Sequence, residues 1–342
     1  MKILLVKTSS LGDVFHTLPA LEDAWRCIPN LQVDWVVEEG FKDIPAWHPA
    51  VNDVIPVAWR RWRKNLFNRQ NRQEMAAFRR RLKAERYDLV LDAQGLVKSA
   101  LMTRMAVGPK TGLCRESCRE PVAARFYDRH LTVPKGEHAI HRLRRLFSLA
   151  LGYDIPENFS YGVSRSRWTR PQESSYWLFL HGTTWDTKLW PERYWRQLAG
   201  QVVESGRQVV LPWGNEEEHA RAQRIADNLN GAVVLPKMSL NDLTAWLAYS
   251  DAIVGVDTGL SHVAAALEVP AVAIYGSTDA RLTGALGPAM TVLSSSMDCA
   301  PCLSRSCLKN EPGEIQPPCY RSIDPERVFT VVSNLIDKQS GA

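Results

Sequence analysis

The chain has 342 residues, 45% of them hydrophobic, and a formal net charge of +5. That length suits two domains of about 170 residues each, and no apolar run reaches the ~18 residues a bilayer span needs. Residues 3–6 pass straight into polar sequence, with no h-region and no small-residue cleavage site, so no secretory signal is expected. Seven cysteines is an odd number, and Cys27, Cys114 and Cys118 are scattered, which suits a reducing cytoplasm better than a disulfide framework.

In chain order, the first half opens with a strand over 2–7, a loop over 8–13 and a helical pattern with Val14, Leu18, Leu21 and Trp25 on one face. Pro19 leaves two options: a separate first turn with the helix proper starting there, or a kink. Strands follow near 33–37 and 89–92, and between them Met75, Phe78 and Leu82 line one side of a basic helix. Residues 157–175 are polar and aperiodic and read as a linker. The second half alternates strands at 177–180, 208–211, 233–235, 252–256 and 271–275 with helices at 191–204, 216–228, 242–249 and 260–267. This alternation predicts an α/β protein with parallel, doubly wound sheets. Such sheets bind ligands at the carboxyl ends of their strands, in a cleft between domains when two of them face each other.

Three strand ends carry chemistry. The buried strand 252–256 ends on Asp257, passes Thr258 and Gly259 and enters an Ala-rich helix. The first turn of that helix offers backbone N–H groups and the positive end of a dipole to a phosphate. Gly259 admits a ligand close to the backbone, and Ser261 and His262 crowd the same mouth; the plainer reading is that Asp257 caps the helix. Strand 177–180 delivers His181, Gly182, Thr183 and Thr184 into a loop carrying Lys188, a set that suits an anionic leaving group. The opening loop KTSSLGD (7–13) lacks both the G-x-G-x-x-G dinucleotide fingerprint and the G-x-x-x-x-G-K-[ST] phosphate loop, which disfavours a nicotinamide-dependent enzyme. Its Asp13, at a helix start, reads first as a cap; as an ionised carboxylate it also suits a general base.

KTSSLGDVFHTLPAL (7–21), DAQGLVKS (92–99), FLHGTTWDTKLWP (179–191), LPWG (211–214) with Glu218, LPKMSL (235–240) and VDTGLSH (256–262) together resemble the lipopolysaccharide heptosyltransferases of glycosyltransferase family 9. The opening loop and 92–99 resemble those that add the first heptose of the inner core. The resemblance covers nearly the whole chain in long, collinear motifs. It implies the GT-B architecture of two Rossmann-like domains, with ADP-L-glycero-β-D-manno-heptose as donor and Kdo-lipid A as acceptor. It also implies inversion at the anomeric carbon without a metal or other cofactor. Asp13 takes the position of the catalytic base. Thr183, Thr184 and Lys188 fall where the donor diphosphate is held, Glu218 and Met238 at the nucleoside, and Asp257, Thr258, Gly259 and His262 around diphosphate and sugar. The acceptor side is expected at Ser9, Ser10 and Lys98 together with Arg60, Arg61, Arg63 and Lys64. Two other readings stay open: transfer to a later core heptose, or a non-catalytic nucleotide-sugar or lipid binder on the same fold.

The expected division is an acceptor-binding domain over 1–160, a donor-binding domain over 175–324 and a final helix within 325–342 that is a candidate to pack back on the first domain. Residues 59–86 hold eleven Lys or Arg against Glu74 and Glu85, a local excess of nine that leaves the rest of the chain at −4. A charge run is by default a solvated helix face, and no nucleic-acid motif accompanies it, so no nucleic-acid partner is expected. With an anionic lipid acceptor it reads instead as a landing surface, with Trp59, Trp62 and Phe67 as interfacial residues. That places the protein peripherally on the cytoplasmic face of an anionic inner membrane. Cys299, Cys302, Cys307 and Cys319 lie in a Pro-rich region with gaps that match no standard zinc spacing; reduced thiols are the expectation and a structural metal the alternative.

Overall fold

The computed structural model describes residues 1–307, 309, 313 and 315–340. The chain divides into two compact units between Val163 and Ser164.

The first unit contains β1 (Lys2–Val6), α1 (Leu11–Phe15), α2 (Leu18–Cys27), β2 (Gln32–Glu38), β3 (Val51–Val57), α3 (Trp59–Trp62), α4 (Arg69–Ala84), β4 (Leu89–Asp92), α5 (Val97–Met105), β5 (Lys110–Leu113), β6 (Arg129–Leu131) and α6 (Ala139–Leu151). Its sheet is parallel throughout, in the order β3-β2-β1-β4-β5-β6. Ile3, Leu4, Leu5 and Val6 are all fully buried, as a central parallel strand covered on both faces demands. Val6 pairs with Val36 and with Asp92, so the chain leaves β1 and β4 at one edge, as Lys7 and Ala93.

Pro19 follows the first of its two options. Leu11–Phe15 and Leu18–Cys27 are separate helices, and the proline sits in the first turn of the second, where its missing N–H breaks no helical bond. Leu18 and Leu21 are buried, but Trp25 is 41% exposed, because the last turn of α2 runs out to the surface. Helix α2 packs on α6. Their interface holds a buried ion pair, Arg144 Nε to Asp23 Oδ2 at 2.6 Å. On the basic helix α4, Phe78 and Leu82 are buried and Met75 packs partly buried beside them, as the spacing predicts.

The second unit contains β7 (Tyr176–Leu180), α7 (Glu192–Glu204), β8 (Gln208–Leu211), α8 (Glu216–Ala226), β9 (Ala232–Val234), α9 (Leu240–Ala248), β10 (Ala252–Val256), α10 (Gly259–Ala266), β11 (Ala271–Tyr275), α11 (Ala280–Thr283), β12 (Met290–Ser294) and α12 (Pro325–Ser340). Its parallel sheet runs β12-β11-β10-β7-β8-β9. Trp177, Phe179, Trp190 and Trp195 are fully buried in its core. Pro191 stands just outside α7, capping it with its φ near that of a helix. The final helix α12 lies in this second unit and packs on α7, β10 and β11. Residues 157–175, read from sequence as a linker, are shared between the units and bury Tyr161 and Trp168. Gly255 pairs with Leu180 and Val256 with Ile274, which sets His181 and Asp257 on one edge, with the loop after β11 beside them.

Candidate functional site

In the first unit the polar residues gather where β1 and β4 end. Asp13 lies in the first turn of α1. Its Oδ2 accepts from the Ser10 N–H at 2.8 Å and the Ser10 hydroxyl at 3.1 Å, so the capping reading holds as far as it goes. The carboxylate also faces two cations, Lys7 Nζ at 3.6 Å and Arg119 Nη1 at 3.7 Å. Burial opposes its ionisation, but Lys7, Arg119 and the Ser10 bonds outweigh that and hold the carboxyl below its ordinary range. The group is therefore ionised at neutral pH.

Lys7 and Arg119 are absent from the set read out of the sequence. Lys7 is 5% exposed and also donates to the Ala93 carbonyl at 3.1 Å. Burial pulls its ammonium pKa down, against the attraction of Asp13. Arg119 comes from the loop after β5. That loop is tied to the end of β4 by the Glu120 N–H to the Gly95 carbonyl and by the Val97 N–H to the Glu120 carboxylate, at 3.1 and 2.7 Å. Below the loop, Asp92 accepts from the Gln94 and Gly95 N–H groups and from the Tyr127 hydroxyl. Gln94 in turn accepts from the N–H groups of Thr8 and Ser9 at 3.0 and 3.3 Å. The loop that carries Asp13 is thus braced by the 92–99 segment at the end of β4.

Of the expected acceptor residues, Lys98 donates to the Ser9 hydroxyl at 3.0 Å. Burial lowers its pKa, Glu38 and Asp13 raise it, and Arg60 and Arg63 lower it further, so Lys98, Arg60, Arg63 and Asp13 share one electrostatic neighbourhood. Lys64 is exposed. Arg61 is engaged elsewhere, bridging Glu39 at 3.0 Å and Glu74 at 2.8 Å. The interfacial aromatics need correction. Trp62 is buried, with its indole N–H on Glu74 at 2.8 Å, and Trp59 packs partly buried on the same core. Aromatics interleaved with arginines look interfacial in sequence, but here the rings turn inward and the guanidinium groups outward. Only Phe67 remains outside, 93% exposed.

In the second unit the ends of β7 and β10 meet. Lys188 Nζ stands 2.7 Å from Asp257 Oδ2, and Thr278, from the loop after β11, donates to the same carboxylate at 2.6 Å. The Thr183 hydroxyl donates to the Asp257 carbonyl at 2.9 Å. Thr184 is exposed beside it, and Thr258 precedes α10 with Gly259 at its first position. The ring of Trp185 carries two cations, Lys188 at 4.5 Å and Arg305 at 5.2 Å. An ammonium, hydroxyls and the first-turn N–H groups of a helix thus converge at one sheet edge, as a diphosphate requires. Ser261 turns back to the Val256 carbonyl and is structural; His262 is buried. His181 is buried on the Pro212 carbonyl, with its pKa pushed down to about 4 by burial, so it is neutral.

Glu218 accepts from the Gly214 N–H at 2.7 Å, and a Cβ built on Gly182 meets its Cδ at 2.6 Å. Gly182 therefore lets Glu218 close over the end of β7. Trp213, between these loops, donates to the Leu235 carbonyl at 2.7 Å and stacks on His219. It ties the end of β8 to the loop carrying the half-buried Met238. No group of three or more His, Cys, Asp or Glu side chains among the described residues is arranged to hold a metal. All seven cysteines are free thiols; burial and the nearby Cys307, Cys299 and Cys302 push the Cys319 thiol up to about 11.

Comparison with known proteins adds an independent line. The model of glycosyltransferase family 9 (heptosyltransferase) matches residues 75–311. Lipopolysaccharide heptosyltransferase 1 of Pseudomonas aeruginosa is 50% identical, with 98% of each chain covered. The Escherichia coli protein of the same name is 50% identical over 84% of this chain and 91% of its own. A solved structure of E. coli heptosyltransferase WaaC with ADP-2-deoxy-2-fluoro heptose superposes with a TM-score of 0.84 at 43% identity, covering 98% of this chain and 99% of that one.

Proposed function

Because the chain belongs to glycosyltransferase family 9, the heptosyltransferases, we propose that it moves L-glycero-D-manno-heptose from ADP-heptose to a Kdo residue of Kdo-lipid A, with inversion and without a metal. The coarser statement stands by itself: this is a glycosyltransferase of the GT-B fold that transfers heptose in lipopolysaccharide core biosynthesis. ADP-heptose as donor is supported by the E. coli WaaC structures solved with ADP and with an ADP-heptose analogue.

The observation that carries the finer reading is Asp13, kept ionised by Lys7 and Arg119 at the edge of the first sheet. In the proposed step Asp13 takes the proton from a Kdo hydroxyl as its oxygen attacks the anomeric carbon. The bond from that carbon to the diphosphate breaks on the opposite face, and ADP leaves carrying the electron pair. Attack and departure on opposite faces, through an oxocarbenium-like state, invert the centre. Lys188, Thr183, Thr184, Thr258 and the N–H groups at Gly259 stabilise the departing charge, which supplies a route that needs no metal. Glu218 and Met238 hold the nucleoside, and Asp257 and His262 complete the diphosphate and sugar site. Ser9, Ser10, Lys98, Arg60, Arg63 and Lys64 receive the anionic acceptor, while Arg61 supports them through Glu39 and Glu74. The enzyme works peripherally on the cytoplasmic face of the inner membrane, where that acceptor is carried; no helix among the described residues is long and apolar enough to cross a membrane.

The test is ADP release from ADP-heptose with Kdo-lipid A, comparing the wild type with Asp13→Ala. Acceptor-dependent turnover that the variant loses by about 10²-fold or more supports the base role. Turnover only with an acceptor that already carries a heptose moves the assignment to a later transfer, and donor binding without turnover makes the protein a binder.

A further inference from the structure

We infer that Leu66 and Phe67 form an apolar tip that inserts into the anionic bilayer surface. The inference rests on the membrane-surface reading above and names the residues that grip the lipid. Residues 63–70, the turn between α3 and α4 with the first two residues of α4, are exposed without interruption. At their centre Phe67 is 93% and Leu66 52% exposed, although every large apolar side chain of the adjacent helices points inward. The tip is a built turn. The Asn68 N–H donates to the Asn65 carbonyl at 3.4 Å, and the buried Asn71 donates its side-chain amide to the same carbonyl at 2.8 Å. Asn68 then caps α4 through the Asn71 N–H at 3.1 Å. At the base Trp62 is locked by Glu74 and packs on Phe78.

Charge identifies the occupant. Arg60, Arg63, Lys64, Arg69 and Arg72 flank the turn and are all exposed, while Glu74, the nearest carboxylate in the sequence, is taken up by Arg61 and Trp62. A second copy of this chain presents the same cations and is repelled, and two residues on a turn offer too little area for a protein partner. An anionic bilayer suits both features. Each cation held near such a surface multiplies the partition by about fivefold, and an aromatic ring beside arginines lodges at the headgroup boundary. The cations supply attraction that salt screens, and the tip supplies a part that salt leaves intact.

The experiment is co-sedimentation of the full chain with phosphatidylglycerol–phosphatidylcholine vesicles and with phosphatidylcholine alone, at low and at high ionic strength. We compare the wild type, Leu66→Ser/Phe67→Ser and the conservative Phe67→Leu, with thermal unfolding as the check on folding. The expected result is that the double variant binds anionic vesicles about tenfold or more weakly, with the deficit retained at high salt, and that Phe67→Leu binds nearly as the wild type. Wild-type binding that the double variant matches at both salts overturns the tip and leaves the basic surface standing. No wild-type binding to anionic vesicles at low salt overturns both.

Discussion

Lys7→Met isolates what holds Asp13 ionised. The two side chains are close in length, so the change removes a charge more than a shape. At 3.6 Å the bare attraction across an effective dielectric of 20 is about 4 to 5 kcal/mol. Arg119 remains 3.7 Å from the other oxygen and Asp13 keeps its Ser10 bonds, so only part of this appears in the titration. Loss of one close cation raises a carboxyl pKa by about one to three units. The sign follows directly. Asp13 is depressed in the folded enzyme, so base function persists as pH falls until that low value is crossed. Removing Lys7 moves the crossing to higher pH. The assay is the acid limb of kcat/KM for ADP release, expected to move up by about one to three pH units, with activity near neutrality reduced less. The Ala93 carbonyl loses a donor as well, for about 1 kcal/mol of stability, so unfolding must be followed over the same pH range. A folded Lys7→Met enzyme with the wild-type acid limb would falsify the assignment of Asp13 as a base tuned by Lys7.

Two further outcomes follow from named contacts. Lys188→Ala should lower kcat/KM by about 10²-fold or more, the scale of removing one donor from a developing anion, and weaken ADP binding in calorimetry, with the fold unchanged. Arg144→Ala strands the buried carboxylate of Asp23 and should cost about 3 to 5 kcal/mol in urea unfolding, whereas replacing both partners with apolar residues of similar volume should recover most of it.

The sheet centres were legible in the sequence because β1, β7, β10 and β11 are short apolar runs, each followed by polar residues. The edges were not. Strand β5 is K-T-G-L and β6 is R-H-L, too short and too polar to stand out; β5 forms on the template of β4, and β6 on that of β5. Pro56 obscured β3, where an edge position tolerates it. Among the candidate site residues, Asp13, Lys188 and Asp257 could be picked out because each follows a recognisable strand. Arg119 could not, since only the pairing of β5 with β4 returns its loop to Asp13. Lys7 lay in plain view in the opening motif, but a lysine after a strand reads as a surface cation until burial is known. Trp62 was misread because its acceptor, Glu74, sits on the next helix, α4.

The contact between Lys188 and Asp257 also bears on how the enzyme lets go. Within the protein the ammonium has a partner at 2.7 Å, and Thr278 steadies that carboxylate. At the donor site proposed above, a diphosphate shares the cation with an anion that is part of the protein and never diffuses away. Such a tethered rival acts at a high effective concentration. On the proposed reading it loosens donor and product by similar amounts, and product release is the slow step in many enzymes. In that proposal Asp257 keeps the grip on spent nucleotide from becoming a trap, at the expense of some affinity for the fresh one.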